Sequence, residues 1–108
     1  MKKETQTINV HEDEKGNMGL VCNDCIEQEK KDFKNANHKI TKGSFLKYRF
    51  VNEQHRLSES MWVRVSKLVD IDTFEGVLMN HPAFMPNMKH GMLVEINLDG
   101  CWGFIPVP

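Results

Sequence analysis

Two periods divide the chain. From about Cys25 to Asn35 the apolar positions are sparse, with Ile26 and Phe33 seven apart on one face. Glu, Gln, Lys and Asp fill the rest. That is a helix burying one narrow stripe. Asn23 or Asp24 is a suitable N-cap, and Asp24 followed by Glu27 resembles a capping box. From Gly43 the period changes to two. Leu46, Tyr48 and Phe50 alternate with Phe45, Lys47, Arg49 and Val51, and the first set should face the core. Residues 52–60 read as a polar connection. Met61, Val63 and Val65 then alternate with Trp62, Arg64 and Ser66, and Thr73 to Met79 gives the next strand, close enough to pair as a hairpin. Val94, Ile96 and Leu98 line one face of a strand over 92–98. Asp99-Gly100 predicts a type I′ hairpin turn into a last strand, Cys101 to Ile105, which Pro106 and Pro108 stop.

The pattern therefore predicts an α+β fold, with one N-terminal helix packed on a twisted antiparallel sheet of about five strands, open or curled toward a partial barrel. Residues 1–15 are nearly all polar and read as a mobile tail, with Ile8 and Val10 the only candidates for a docked edge strand. Residues 16–108 form the single domain, opening with a short extended segment over Met18 to Cys22. At 108 residues there is no room for a second domain.

Composition narrows the function classes. The formal net charge is −1, so global charge draws the chain neither to nucleic acid nor to an anionic membrane. No apolar run approaches the roughly 18 residues of a membrane span, and no apolar segment follows the basic start as a signal peptide requires. An odd cysteine count, three, fits a reduced cytoplasmic protein better than a secreted disulfide framework.

The central stretch also carries a resemblance. Ser60-Met61-Trp62-Val63-Arg64-Val65, Phe74-Glu75-Gly76-Val77-Leu78, Asn80-His81-Pro82, Lys89-His90-Gly91 and Val94-Glu95-Ile96 resemble the YegJ-like bacterial proteins of unknown function. The likeness covers about residues 26–105. Ser60 stands where that family tends to have His, and Met92 where it tends to have Asp. The resemblance implies a compact α+β domain, is compatible with a phage or mobile-element origin, and brings no activity with it.

Three features are candidate sites. Cys22 and Cys25 form a Cys-x-x-Cys at the start of the helix, a spacing shared by zinc chelators and redox pairs. No second such pair supplies further zinc ligands, and Asp24 opposes thiolate formation. Inert packing is the competing reading. Second, charge is segregated: residues 30–49 hold seven basic residues against one acidic, a net of +6, while residues 1–29 hold a net of −4. Lys30, Lys31, Lys34, Lys39 and Lys42 form the basic patch a nucleic acid or acidic protein would use, although such runs ordinarily serve solubility. Third, Phe84, Met85 and Met88 place apolar side chains in a loop, where they either cap the core or meet a partner. Together with Trp62 and Trp102 they are the candidate binding residues.

No convergent acid–base set is readable around His55, His81 or His90, so the expectation is a non-catalytic domain without a cofactor. A protein partner would engage the Met/Phe loop or an open sheet edge, with the chain as monomer or homodimer. The alternatives are a zinc-stabilised or redox-sensing module and, third, a nucleic-acid-associated protein.

Overall fold

The computed structural model describes residues 8–12, 18–20, 23–54 and 56–107. Among the described residues, helix α1 spans Asn23–Ala36 and there are seven strands: β1 (Ile8–Glu12), β2 (Met18–Leu20), β3 (Phe45–Asn52), β4 (Leu57–Leu68), β5 (Thr73–Leu78), β6 (Leu93–Asn97) and β7 (Cys101–Ile105). Asp24 in the first turn and Lys34 in the last complement the helix dipole. The helix ends at Asn37, whose φ of 52° is the left-handed conformation asparagine tolerates best among side-chain-bearing residues. Ile26 and Phe33 are the buried members of the predicted stripe.

Five antiparallel strands form the body of the sheet, in the order β7-β3-β4-β5-β6. β6 and β7 do not pair, so the sheet is open and the partial-barrel alternative is not realised. β4 organises it. Its 12 residues extend roughly 40 Å at about 3.3 Å per residue. One edge of β4 is occupied by β3 from Leu57 to Arg64. The other is divided, with β1 parallel to Leu57–Ser60 and β5 antiparallel to Val63–Leu68. β1 thus lies where Ile8 and Val10 were expected to dock, though between β2 and β4 rather than at an outer edge.

Two expectations need correction. Residues 57–60 are strand, not connection, and Ser58, Glu59 and Ser60 are buried although the segment reads as polar. Their polarity is answered by hydrogen bonds described below. Asp99-Gly100 does not make a hairpin either. Leu98–Gly100 is a single 3-10 turn carrying the chain from β6, at one edge, to β7 beside β3 at the other. Gly100 has no positive φ. Its lack of a side chain serves a close approach, since a Cβ there would clash with the edge of the Tyr48 ring.

The core lies on the face of the sheet carrying Leu46, Met61, Val63, Val65, Phe74, Leu78 and Ile96. Phe33 from α1 and Met85 from the long β5–β6 loop close over it.

Candidate functional site

Four arrangements bear on function. The first is on the opposite sheet face. Lys47 on β3 is in register with Trp62 on β4 and Gly103 on β7. A Cβ on Gly103 would come 2.8 Å from the Cβ of Lys47 and 3.2 Å from the Trp62 ring. The glycine therefore makes room for the lysine to lie between the two indoles. Its Nζ is 5.0 Å from the Trp62 ring centroid and 4.4 Å from that of Trp102, within cation–π range. Trp102 Nε1 donates to Ser60 Oγ at 2.8 Å. Arg49, next on the same face, donates from Nε to Ser58 Oγ (3.1 Å) and from Nη1 to Glu27 Oε1 on α1 (3.2 Å). The candidate residues Trp62 and Trp102 are thus brought together, but around the chain's own cation.

The basic stretch is correspondingly divided. Lys47 and Arg49 belong to this tryptophan face. Lys30 pairs with Glu27 and Lys34 with Asp99. The hydrogen bond from Lys34, with its charge, lowers the Asp99 carboxyl, and Asp99 in turn raises Lys34. Lys31, Lys39 and Lys42 are exposed on α1 and the segment after it.

The second arrangement is the β5–β6 loop. Glu59 on β4 is 3% exposed. Its carboxylate accepts the Ala83 N–H (3.0 and 2.9 Å to the two oxygens) and the Phe84 N–H (2.8 Å). Asn80 Oδ1 accepts the Trp62 N–H at 2.5 Å. The His81 and His90 rings stack at 4.4 Å across the base of the loop. The loop is therefore fastened from below. Met85 is 6% exposed and part of the core, Met88 packs against it, and Phe84 alone of the three projects, at 44% exposure.

The third is the free edge of β6. Leu78 N–H donates to Met92 O, and Leu98 N–H to Asp72 O. Antiparallel ladders bond alternate residues, so Val94 and Ile96 direct their peptide groups toward β5. Leu93 and Glu95 direct theirs away from the sheet, as Asn97 does its N–H, while the Asn97 carbonyl accepts the Cys101 thiol. β6 pairs only with β5, and among the described residues no strand pairs with that outer edge. Leu93 is 61% exposed.

The fourth is the cysteines. Cys25, in the first turn of α1, is disulfide-bonded. Cys22 lies outside the described residues. A sulfur in a disulfide is not available to zinc, and among the described residues no three His, Cys, Asp or Glu side chains come together as a metal site. Cys101 is a free, buried thiol that donates to Asn97 O at 3.4 Å. Burial, with a smaller contribution from Asp99, pushes it from its ordinary 9.0 up to about 12. The thiolate is the reactive form, so native Cys101 should resist thiol reagents at pH 8 and react once urea unfolds the chain. A colorimetric thiol titration under both conditions checks this. Above about pH 9 the unfolded thiol ionises and the folded one does not, so the folded form binds more protons and this contribution to stability falls as pH rises toward 12.

Glu59, Ser58 and the free edge escape a reading by residue type. The period-two alternation does run back from Met61 through Glu59 to Leu57, and that signal could have revealed the buried carboxylate. Among the described residues no helix is long and apolar enough to cross a membrane.

Fold and site together define a small α+β domain with an open sheet, a fastened loop and an unoccupied strand edge. A family model described as "Uncharacterized protein conserved in bacteria (DUF2314)" matches residues 22–104, and the chain belongs to that family. No curated protein and no solved structure matches it significantly.

Proposed function

We propose that this is a non-catalytic protein-binding domain of the bacterial cytoplasm, receiving an extended segment of its partner along the outer edge of β6. The observation that carries this reading is the row of outward peptide groups at Leu93 and Glu95, continued by the N–H of Asn97, beside an exposed Leu93. Strand addition draws affinity from main-chain hydrogen bonds and selectivity from alternate side chains. Edge strands that avoid pairing are commonly blunted by proline, lysine or a bulge, and β6 (Leu-Val-Glu-Ile-Asn) has no proline or lysine and keeps an unbroken register with β5. The other end of the five-strand body, β7, has α1 packed beside it.

Within the family we place the chain with the YegJ-like proteins, on two motifs that touch: Asn80 of Asn-His-Pro accepts the backbone N–H of Trp62 in Met-Trp-Val.

The test is selection of extended peptides from a random display library on the purified full chain. Binders should lose affinity when Asn97 is replaced by proline, because that position has no role in the β5 ladder and its outward N–H would be gone. Selection that yields no binders, or binders indifferent to Asn97→Pro in a variant that keeps its native circular dichroism, would sink the reading.

A second reading, a redox-sensing module, is favoured by the disulfide at Cys25 near the start of α1. A measured reduction potential below about −300 mV, the range of structural disulfides, would remove it.

A further inference from the structure

The reading of β6 as a binding edge leaves open what the edge prefers. Three in-register residues on the outer face of the sheet bear on this. Lys67 on β4 faces Glu75 on β5, and Glu75 faces Glu95 on β6. The ladder bonds pass through the even-numbered residues, so Glu75 and Glu95 form a non-hydrogen-bonded pair, the kind with the closer side chains. Like charges directly opposite one another are destabilising. Among the described residues neither carboxylate forms an ion pair. The row therefore runs cation, anion, anion, and ends at the open edge. Two residues along from Glu95, Leu93 stands exposed beside Val77 on the same outer face.

We infer that the β6 edge selects an extended segment that runs antiparallel to it, with a lysine or arginine opposite Glu95 and an aliphatic residue opposite Leu93. A cation at that position completes the alternation that Lys67 begins and relieves the Glu75–Glu95 pair. An aliphatic side chain covers Leu93 and extends the apolar strip from Val77. A charge on an edge strand ordinarily discourages pairing. Here it discourages neutral and acidic strands and admits basic ones, the repulsive element that selectivity needs. The same charge argues against a second copy of this chain as the occupant. β6 contains no basic residue, so no β6–β6 register can answer Glu95 with a cation.

This inference rests on the proposed strand addition, and its test separates the two. Two short capped β-prone peptides are compared, identical except for lysine or glutamate at the position facing Glu95, with leucine at the position facing Leu93. Binding is followed by fluorescence anisotropy at low salt, where exposed charges are least screened. Hydrogen exchange of the Leu93, Glu95 and Asn97 amides locates the bound peptide. The lysine peptide should bind about fivefold tighter, the range expected when an opposite-charge pair replaces a like-charge one. The ranking should reverse on Glu95→Lys, an exposed substitution. If wild type and Glu95→Lys rank the peptides alike while both protect the three amides, the charge preference is wrong and strand addition stands. If neither peptide protects those amides, the edge reading fails and this inference with it. Concentration-dependent protection of the same amides without peptide would make a second copy the occupant and overturn the preference for a basic strand.

Discussion

Replacing Glu59 with alanine should destabilise the domain by about 3 kcal/mol, because it takes the buried acceptor away from two part-buried loop N–H groups, and an unsatisfied donor costs about 1–3 kcal/mol. The Glu59 carboxylate takes the N–H groups of both Ala83 and Phe84. Among the described residues no other side chain is hydrogen-bonded to either. Removing a buried charge recovers some desolvation free energy, which keeps the net loss below the sum of three lost contacts. Glu59→Gln retains one acceptor oxygen and should lose about half as much, on the order of 1.5 kcal/mol, since a neutral acceptor makes the weaker bond. Urea unfolding followed by circular dichroism measures both. The midpoint should fall with little change in slope. The second signature is local. The loop amides from Ala83 to Met88 should exchange faster in Glu59→Ala than in wild type, at a denaturant concentration where both stay folded. An unfolding midpoint within error of wild type would mean the loop stands without its clamp.

Glu59 also marks where the sequence stops being legible. The helix and the strands over 45–51, 61–66, 73–79 and 101–105 are read from periodicity because their side chains alternate between water and an apolar core. Leu46, Met61, Val63 and Val65 are buried as that alternation requires. Residues 57–60 break the correspondence between polarity and exposure. Ser58 and Ser60 are buried because Arg49 and Trp102 bond to them, and Glu59 because a loop more than twenty residues away folds onto it. Neither cause is local: the alternation through Met61, Glu59 and Leu57 points to the inward face, but the partners that make burial tolerable lie elsewhere in the chain.

The Asp99-Gly100 turn fails for a different reason. Its dipeptide chemistry suits a hairpin, but hairpin formation also requires β7 to lie beside β6. β7 takes the outer edge of β3 instead, where Phe104 faces Leu46 and Ile105 faces Phe45. Tertiary pairing decides between two turns that the dipeptide alone permits. The candidate site was legible in part. Trp62, Trp102 and the loop residues stand out by residue type, but the meeting of both indoles on Lys47 depends on the register of three strands and on Gly103 between them. The β6 edge is a fact of topology. It follows from which strand is last in the sheet, and the strand's own residues do not declare it.

Leu46→Ala should cost about 3 kcal/mol, within the 2–5 kcal/mol span of buried leucine truncations. Leu46 is 0% exposed and sits on β3, the strand that joins β4 to β7. It faces Val63 on one side and Phe104 on the other. Both neighbours are held in the sheet by backbone ladders, so the site collapses poorly around a missing side chain and the truncation leaves a cavity. The loss should therefore appear in full in the urea midpoint. Combining Leu46→Ala with Glu59→Ala then asks whether core and loop clamp are separate supports. Phe50 is the β3 partner of Glu59 and lies four residues from Leu46, or roughly 13 Å along the strand. Sites so far apart that share no partner add to within about 0.5 kcal/mol. The double variant should lose about 6 kcal/mol, close to the whole stability of many small domains, and be largely unfolded without stabilising salt. A double variant that remains as stable as either single one would mean that the loop and the β3–β4–β7 core fail together. The clamp would then be part of the core, not a fastening laid over it.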